Sequence, residues 1–125
     1  MKGRTSSWWG TVLDAPDPHA LAEFYSRLLE WPIATDEPTW VVLNRPGESF
    51  YLGFHESSAY VRPVWPPVDG HQQMMVHLDI EVDDIDAAVA DALNMGATLA
   101  EFQPQDTVRV LLDPIGHPFC LYLGS

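Results

Sequence analysis

Hydrophobic and polar residues follow a strand pattern and then a helical pattern, and this order occurs twice along the chain. The strand patterns cover residues 8–14 and 75–82, which are rich in β-branched and other large apolar side chains. After each of them, apolar residues recur at the spacing of one helix face, and an aspartate stands where the helix should begin. The apolar positions are Leu21, Phe24, Tyr25, Leu28 and Leu29 in the first helix and Ile85, Ala88, Val89, Ala92 and Leu93 in the second, with Asp17 and Asp84 as caps.

Shorter strand patterns follow each helix, and the two halves share residues as well as order. The strands are predicted at residues 40–43 and 50–54 in the first half and at 108–112 and 119–123 in the second. Residues 10–14 resemble residues 77–81 at an offset of 67, and Gly47-x-x-Phe50-x-Leu52 matches Gly116-x-x-Phe119-x-Leu121 at an offset of 69. The repeat indicates that one structural unit occurs twice.

We therefore predict an α+β fold of two tandem βαβββ modules. They form a curved mixed sheet around a cavity, with the helices on its outer face. A single domain spans residues 1–125, with module 1 at about 7–56, a connection at about 57–73 and module 2 at about 74–125.

Alternation along each strand separates a face toward the helices from a face toward the cavity. Leu78 and Ile80 mark the helix side of their strand, and we place Val108, Val110 and Leu112 on the helix side of theirs. The cavity face then carries the candidate ligand-binding residues, which are Trp8, Trp40, Tyr51, His77, Asp79, Arg109, Cys120 and Tyr122. Aromatic rings with polar groups at one end favour a flat or apolar small molecule as ligand.

Acidic residues dominate the charge of the chain. The 18 Asp and Glu against 6 Lys and Arg give a formal net charge of -12, which repels polyphosphates and anionic membranes, so we expect neither a nucleic acid nor a membrane as partner. The single cysteine, Cys120, excludes an intrachain disulfide and fits a reducing compartment. No apolar stretch reaches the length of a membrane span, and the opening MKGRTSS lacks the apolar core of a signal peptide. We expect a cytoplasmic protein.

Three motifs in this order resemble the vicinal oxygen chelate superfamily, which includes glyoxalase I, extradiol dioxygenases, fosfomycin-modifying enzymes and bleomycin-binding resistance proteins. They are Asp17-Pro18…Phe24-Tyr25…Leu28-Leu29, then His77-Leu-Asp-Ile-Glu-Val-Asp-Asp84 with Gly96-Ala97, and finally Asp113-Pro-Ile-Gly-His-Pro-Phe-Cys-Leu121. The last motif looks most like that of the small glyoxalase-like bacterial members. Where the usual pattern ends the first helix in Leu-Gly, this chain has Leu29-Glu30.

The resemblance implies where a metal would bind. Metal-dependent members hold one divalent ion with up to four side chains, a His or Gln on the first strand of each module and a Glu on the last. In this chain the four metal positions are Gly10, Tyr51, His77 and Cys120. Only His77 is an ordinary ligand of the family, since glycine has no side chain and Cys120 replaces a hard carboxylate with a soft thiol. We expect this metal site to be degenerate and the protein to need no cofactor.

Three functions follow from these residues. The leading hypothesis is a glyoxalase-like or bleomycin-resistance-like homodimer that binds a small, aromatic or apolar organic molecule in its cavity. In the second, a lyase, isomerase or dioxygenase uses one divalent ion held by His77, Asp79 and Cys120. In the third, a metal-free enzyme uses His77 as acid–base catalyst with Asp79 or Glu81.

Each polar candidate also has a purely structural alternative. His77 can be a histidine whose hydrogen bonds are satisfied by Asp79 or Tyr51. Arg109 can be the counter-ion that makes the inward-pointing acids tolerable, because unpaired buried carboxylates are costly. Cys120 can be an inert thiol that fills space as a small apolar side chain.

Overall fold

The computed structural model of the protein describes residues 7–124 and divides the chain into two compact units between Tyr60 and Val61. This boundary falls inside the predicted connection at residues 57–73. Each unit contains one βαβββ module, so the predicted α+β class and the two-module repeat are confirmed. That residues 1–125 form a single domain stays a prediction. Neither helix of the described residues has the length and apolarity of a membrane-spanning segment.

Module 1 consists of one helix packed on a four-stranded sheet. Its elements are β1 (Trp9–Ala15), α1 (Pro18–Leu29), β2 (Ile33–Glu37), β3 (Trp40–Asn44) and β4 (Phe50–Glu56). The sheet is mixed and has the order β1-β4-β3-β2, with β1 parallel to β4 and the other pairs antiparallel. Tyr25 of the helix is fully buried and stacks on Phe54, with ring centroids 5.7 Å apart.

Module 2 repeats this arrangement with shorter elements. They are β5 (Leu78–Val82), α2 (Ile85–Asn94), β6 (Thr98–Leu99), β7 (Val108–Leu112) and β8 (Pro118–Leu123). The sheet order is β5-β8-β7-β6, and β5 and β8 are the parallel pair. The core is formed by residues that are almost completely buried, among them Ala92, Leu111, Phe119 and Leu121.

Several element bounds differ from the prediction for identifiable reasons. The sequence pattern does not predict β2, because Ile33–Glu37 is mostly exposed and carries no continuous apolar face. The strand predicted from residue 75 begins at Leu78, because Met75 adopts a positive φ of 62°, which interrupts an extended chain. The strands hydrogen-bond into two mixed sheets, one in each module, because the first and last strands of each module pair with each other.

The turn before β8 fixes the register of that strand. Asp113 is buried, and its Oδ1 accepts hydrogen bonds from the backbone N–H groups of Ile115 and His117, both at 3.0 Å. Gly116 has a φ of +88°, which glycine adopts without a steric penalty. The turn closes the β7–β8 hairpin with Leu112 opposite Pro118, and Val110 therefore lies opposite Cys120.

The end of α1 contains a residue in an unfavourable conformation. Glu30 follows the last helical residue with φ 58° and ψ 36°, in the left-handed region. Helices very often end on a glycine there, because a β-carbon costs roughly 1–2 kcal/mol in this conformation. This is the position at which the chain departs from the Leu-Gly pattern.

We expect Glu30→Gly to stabilise the protein by about 0.5–1 kcal/mol, because the relief of left-handed strain exceeds the flexibility that glycine adds to the unfolded chain. The matched control is Glu23→Gly, exposed in the middle of α1, which should destabilise by about 1 kcal/mol. Urea unfolding followed by far-ultraviolet circular dichroism measures both changes. Equal losses of stability in the two variants would contradict the assignment of strain to Glu30.

Candidate functional site

The face of module 2 that points away from α2 carries a group of polar side chains. Strand β8 lies between β5 and β7, with Cys120 directly opposite Asp79 on one side and Val110 on the other. Residues in register on neighbouring strands point to the same face, and alternate residues point to opposite faces. Since Phe119 and Leu121 are buried in the core, Cys120 and Asp79 lie on the other face, as the sequence pattern predicts.

His77 completes a three-residue cluster on this face. It lies immediately before β5, and its Nε2 is 3.2 Å from Oδ1 of Asp79. One ligating atom from each of His77, Asp79 and Cys120 lies within 4.8 Å of the other two. The Asp79 side chain is 60% exposed and that of His77 37%, so the cluster is open to solvent.

The cluster lines a pocket of about 360 Å³. The lining residues are His77, Asp79, Gln105, Thr107, Val108, Cys120, Tyr122 and Leu123. Four of the predicted ligand-binding residues therefore lie together in module 2. Gln105 and Thr107 were not predicted, because they lie in the loop between β6 and β7, where strand alternation gives no information.

The Cys120 thiol is protonated at neutral pH. Partial burial, the negative charge of Asp79 and a hydrogen bond to that carboxylate raise the pKa of Cys120 from 9.0 to about 11. All three effects disfavour the thiolate, which is the nucleophilic form of cysteine. In this state Cys120 is a hydrogen-bond donor to Asp79, not an activated nucleophile.

Arg109 requires a correction, because the predicted position on the cavity face is wrong. The β7–β8 register places Arg109 opposite Leu121, on the helix side of the sheet, and Val108 opposite Tyr122, on the pocket side. The segment Val-Arg-Val-Leu-Leu has apolar residues in both alternating sets, so its sequence does not decide which set is buried. The packing of Leu111, which is fully buried opposite Phe119, decides it.

The guanidinium group of Arg109 binds backbone carbonyls and does not neutralise the acids. Its Nη1 donates to the carbonyl oxygens of Gln105, Asp106 and Val108 at 3.1, 3.1 and 2.9 Å. Asp79 needs no such counter-ion, because an exposed carboxylate keeps most of its hydration. The described lining of the pocket contains no Lys or Arg.

In module 1, the corresponding face carries aromatic rings packed against glycines. Gly10 lies opposite Tyr51, and a β-carbon at Gly10 would be only 2.7 Å from the Tyr51 ring. A β-carbon at Gly53 would be 2.5 Å from the indole of Trp40. The predicted placement of Trp40 and Tyr51 on the face away from the helix is confirmed by the register, whereas Trp8 precedes β1 and is 54% exposed.

The two modules differ in how their metal positions are arranged. In module 1, the two positions Gly10 and Tyr51 lie directly opposite each other. In module 2, the residue opposite Cys120 is Asp79, and His77 lies two residues earlier. This two-residue difference corresponds to the change of the repeat offset from 67 to 69. It brings Asp79, to which the resemblance assigns no ligand role, next to the thiol.

Comparison with known proteins identifies relatives of the whole fold. A family model described as a glyoxalase-like domain matches residues 10–122. A glyoxalase/bleomycin resistance protein/dioxygenase family enzyme from Burkholderia phytofirmans PsJN superposes with a TM-score of 0.69 at 19% identity, covering 91% of this chain and 95% of that chain. No curated protein matches the chain in sequence.

Two further solved structures have the same fold. The fosfomycin resistance protein FosX from Mesorhizobium loti gives a TM-score of 0.66 at 11% identity, covering 100% of this chain and 94% of that chain. A glyoxalase/bleomycin resistance protein from Albidiferax ferrireducens T118 gives 0.62 at 18% identity, covering 94% and 98%. At these identities the structural matches show the fold alone.

We expect Asp79→Asn to lower the pKa of the Cys120 thiol from about 11, because the substitution removes the carboxylate charge that opposes ionisation. The pKa should remain above 9.0, since the burial of the thiol is unchanged. The pH dependence of alkylation by iodoacetamide measures this, because the thiolate is the reacting form. Asp91→Asn, at an exposed position of α2, is the control. Superimposable profiles for Asp79→Asn and the unmodified protein would refute the coupling.

Proposed function

Because the chain belongs to the glyoxalase-like domain family, we propose that it binds a small organic molecule in the pocket of module 2. The pocket itself is the observation that supports this most directly. Its volume of about 360 Å³ lies within the range of about 300–1,000 Å³ that small-molecule sites usually have. Three hydrogen-bonded strands, β5, β8 and β7, contribute to its lining, and β5 and β8 hold Asp79 and Cys120 side by side.

The lining of the pocket indicates the chemistry of the ligand. Tyr122, Val108 and Leu123 offer ring and aliphatic surface, while His77 and Asp79 offer hydrogen-bonding groups at one place. No Lys or Arg of the described lining balances Asp79, and the whole chain carries a net charge of -12. A neutral or cationic ligand is therefore favoured over an anionic one.

The residues at the four family metal positions, Gly10, Tyr51, His77 and Cys120, favour binding of an organic molecule over metal chemistry at those positions. In module 1, the Tyr51 ring fills the space where a ligand side chain at Gly10 would project. Gly10 and Tyr51 therefore do not form a pair of ordinary metal ligands in module 1. The flat surfaces of Tyr51 and Trp40 are proposed to bind apolar or aromatic groups by stacking.

We further propose that the protein acts as a homodimer in the cytoplasm. The support for self-association is the exposure of large apolar side chains, including Trp8 at 54% and Trp9 at 68%. The support for location is the single free thiol, which fits a reducing compartment. Light scattering after size-exclusion chromatography tests the dimer directly, and a monomer mass at high protein concentration would exclude it.

We expect filling of the pocket by Thr107→Trp to weaken ligand binding at least about tenfold, or by about 1.4 kcal/mol. Thr107 is exposed at the pocket wall, so the larger side chain enters the pocket without entering the core. Thr98→Trp, exposed on β6 outside the lining, is the matched control. The probes are neutral and cationic aromatic fragments selected by thermal shift, and calorimetry measures their affinity with and without added Zn²⁺. Unchanged affinity in Thr107→Trp would place the binding site elsewhere.

A further inference from the structure

We propose that His77, Asp79 and Cys120 form a zinc site contained entirely within module 2. The three residues supply an imidazole nitrogen, a carboxylate oxygen and a sulfur, all within 4.8 Å of one another. A tetrahedral Zn²⁺ ion with bonds of about 2.0–2.3 Å keeps its ligand atoms roughly 3.3–3.8 Å apart. No separation exceeds this range by more than about 1 Å. The 3.2 Å between His77 Nε2 and Asp79 Oδ1 is close to its lower end.

The backbone holds these three side chains together without any metal. Asp79 and Cys120 are paired residues on the adjacent parallel strands β5 and β8, so their side chains leave the same face at the same level. His77 precedes Asp79 by two residues, which directs its side chain to that face as well. Asp79 and Cys120, held on paired strands, are positioned more accurately than ligands on loops, and His77 lies one residue before β5.

The donor set favours zinc over the other common divalent ions. Mg²⁺ and Ca²⁺ prefer oxygen ligands alone, whereas a thiolate with an imidazole suits a borderline-soft ion such as Zn²⁺. When the Zn–S bond forms, the thiol proton passes to the solvent. The dication then faces one thiolate and one carboxylate, so the occupied site is neutral. The pocket leaves a fourth position for water or for an oxygen atom of a bound molecule.

This site differs from the one that the four family positions would form. It uses Asp79, which is not one of those positions, and it uses neither Gly10 nor Tyr51 of module 1. The zinc site also needs no organic ligand, so it can be tested independently of the proposed small-molecule binding.

Zinc binding is tested on the full-length protein after removal of metals with a chelator. We expect one equivalent of Zn²⁺ to bind in competition with a chromophoric chelator. His77→Ala and Cys120→Ser should each lower the affinity at least about 100-fold, since even residues that only support a ligand contribute 10- to 100-fold. His71→Ala, at an exposed loop position of the same unit, should bind zinc like the unmodified protein.

Cobalt provides a readout that identifies the sulfur ligand. With Co²⁺ in place of Zn²⁺, the unmodified protein should show a thiolate-to-cobalt charge-transfer band, which Cys120→Ser abolishes. Circular dichroism checks that each variant is folded. Asp79→Asn removes the carboxylate ligand without changing the size of the side chain. The proposal is overturned if no stoichiometric binding occurs, if the charge-transfer band is missing, or if the folded His77 and Cys120 variants bind zinc with unchanged affinity.

Discussion

The candidate site depends on one constraint, the register of β8 between β5 and β7. Burial of Phe119 and Leu121 holds that register, because a shift by one residue would turn both side chains out of the core. The same shift would carry Cys120 away from Asp79. The hydrogen bonds that Asp113 accepts in the preceding turn set the start of the strand. Core packing and turn geometry therefore position the polar cluster, although none of its three members belongs to the core.

The sequence predicts which face of the sheet a strand residue occupies only where the alternation of apolar and polar residues allows a single assignment. In β5, the order Leu-Asp-Ile-Glu-Val allows a single assignment of faces, and Asp79 lies where the pattern places it. In β7, both alternating sets contain apolar residues, and only the partner strand decides that Arg109 lies on the helix side. The exposed strand β2 has no buried face from which a prediction can start.

The pocket was only partly predictable for a related reason. Strand parity identifies Cys120 and Tyr122, but Gln105 and Thr107 come from a loop whose course follows from tertiary packing. The sequence predicts Asp79 on the cavity face, but it does not predict that Asp79 lies directly opposite Cys120. The repeat offset changes from 67 to 69 between the first and last strands of the modules. In the folded sheets this change becomes a difference in pairing, because Gly10 lies opposite Tyr51 whereas Asp79, and not His77, lies opposite Cys120.

The two modules carry different surfaces on the same framework. In module 1, the absence of a β-carbon at Gly10 and at Gly53 lets the rings of Tyr51 and Trp40 pack closely against the sheet. In module 2, a thiol, a carboxylate and an imidazole occupy the equivalent face and leave it open to water. One module thus presents aromatic surface on this face and the other presents polar groups.

Charge decides what the polar cluster can accept. Arg109 is bound to backbone carbonyl oxygens, so the Asp79 carboxylate lies beside Cys120 and His77 without an arginine partner. That negative charge contributes to the raised pKa of the thiol, and it opposes the approach of any anionic group. A cation is attracted to the same place, and the excess of acidic residues over the whole chain acts in the same direction. The electrostatics of module 2 therefore disfavour the approach of anions to this cluster and favour that of cations.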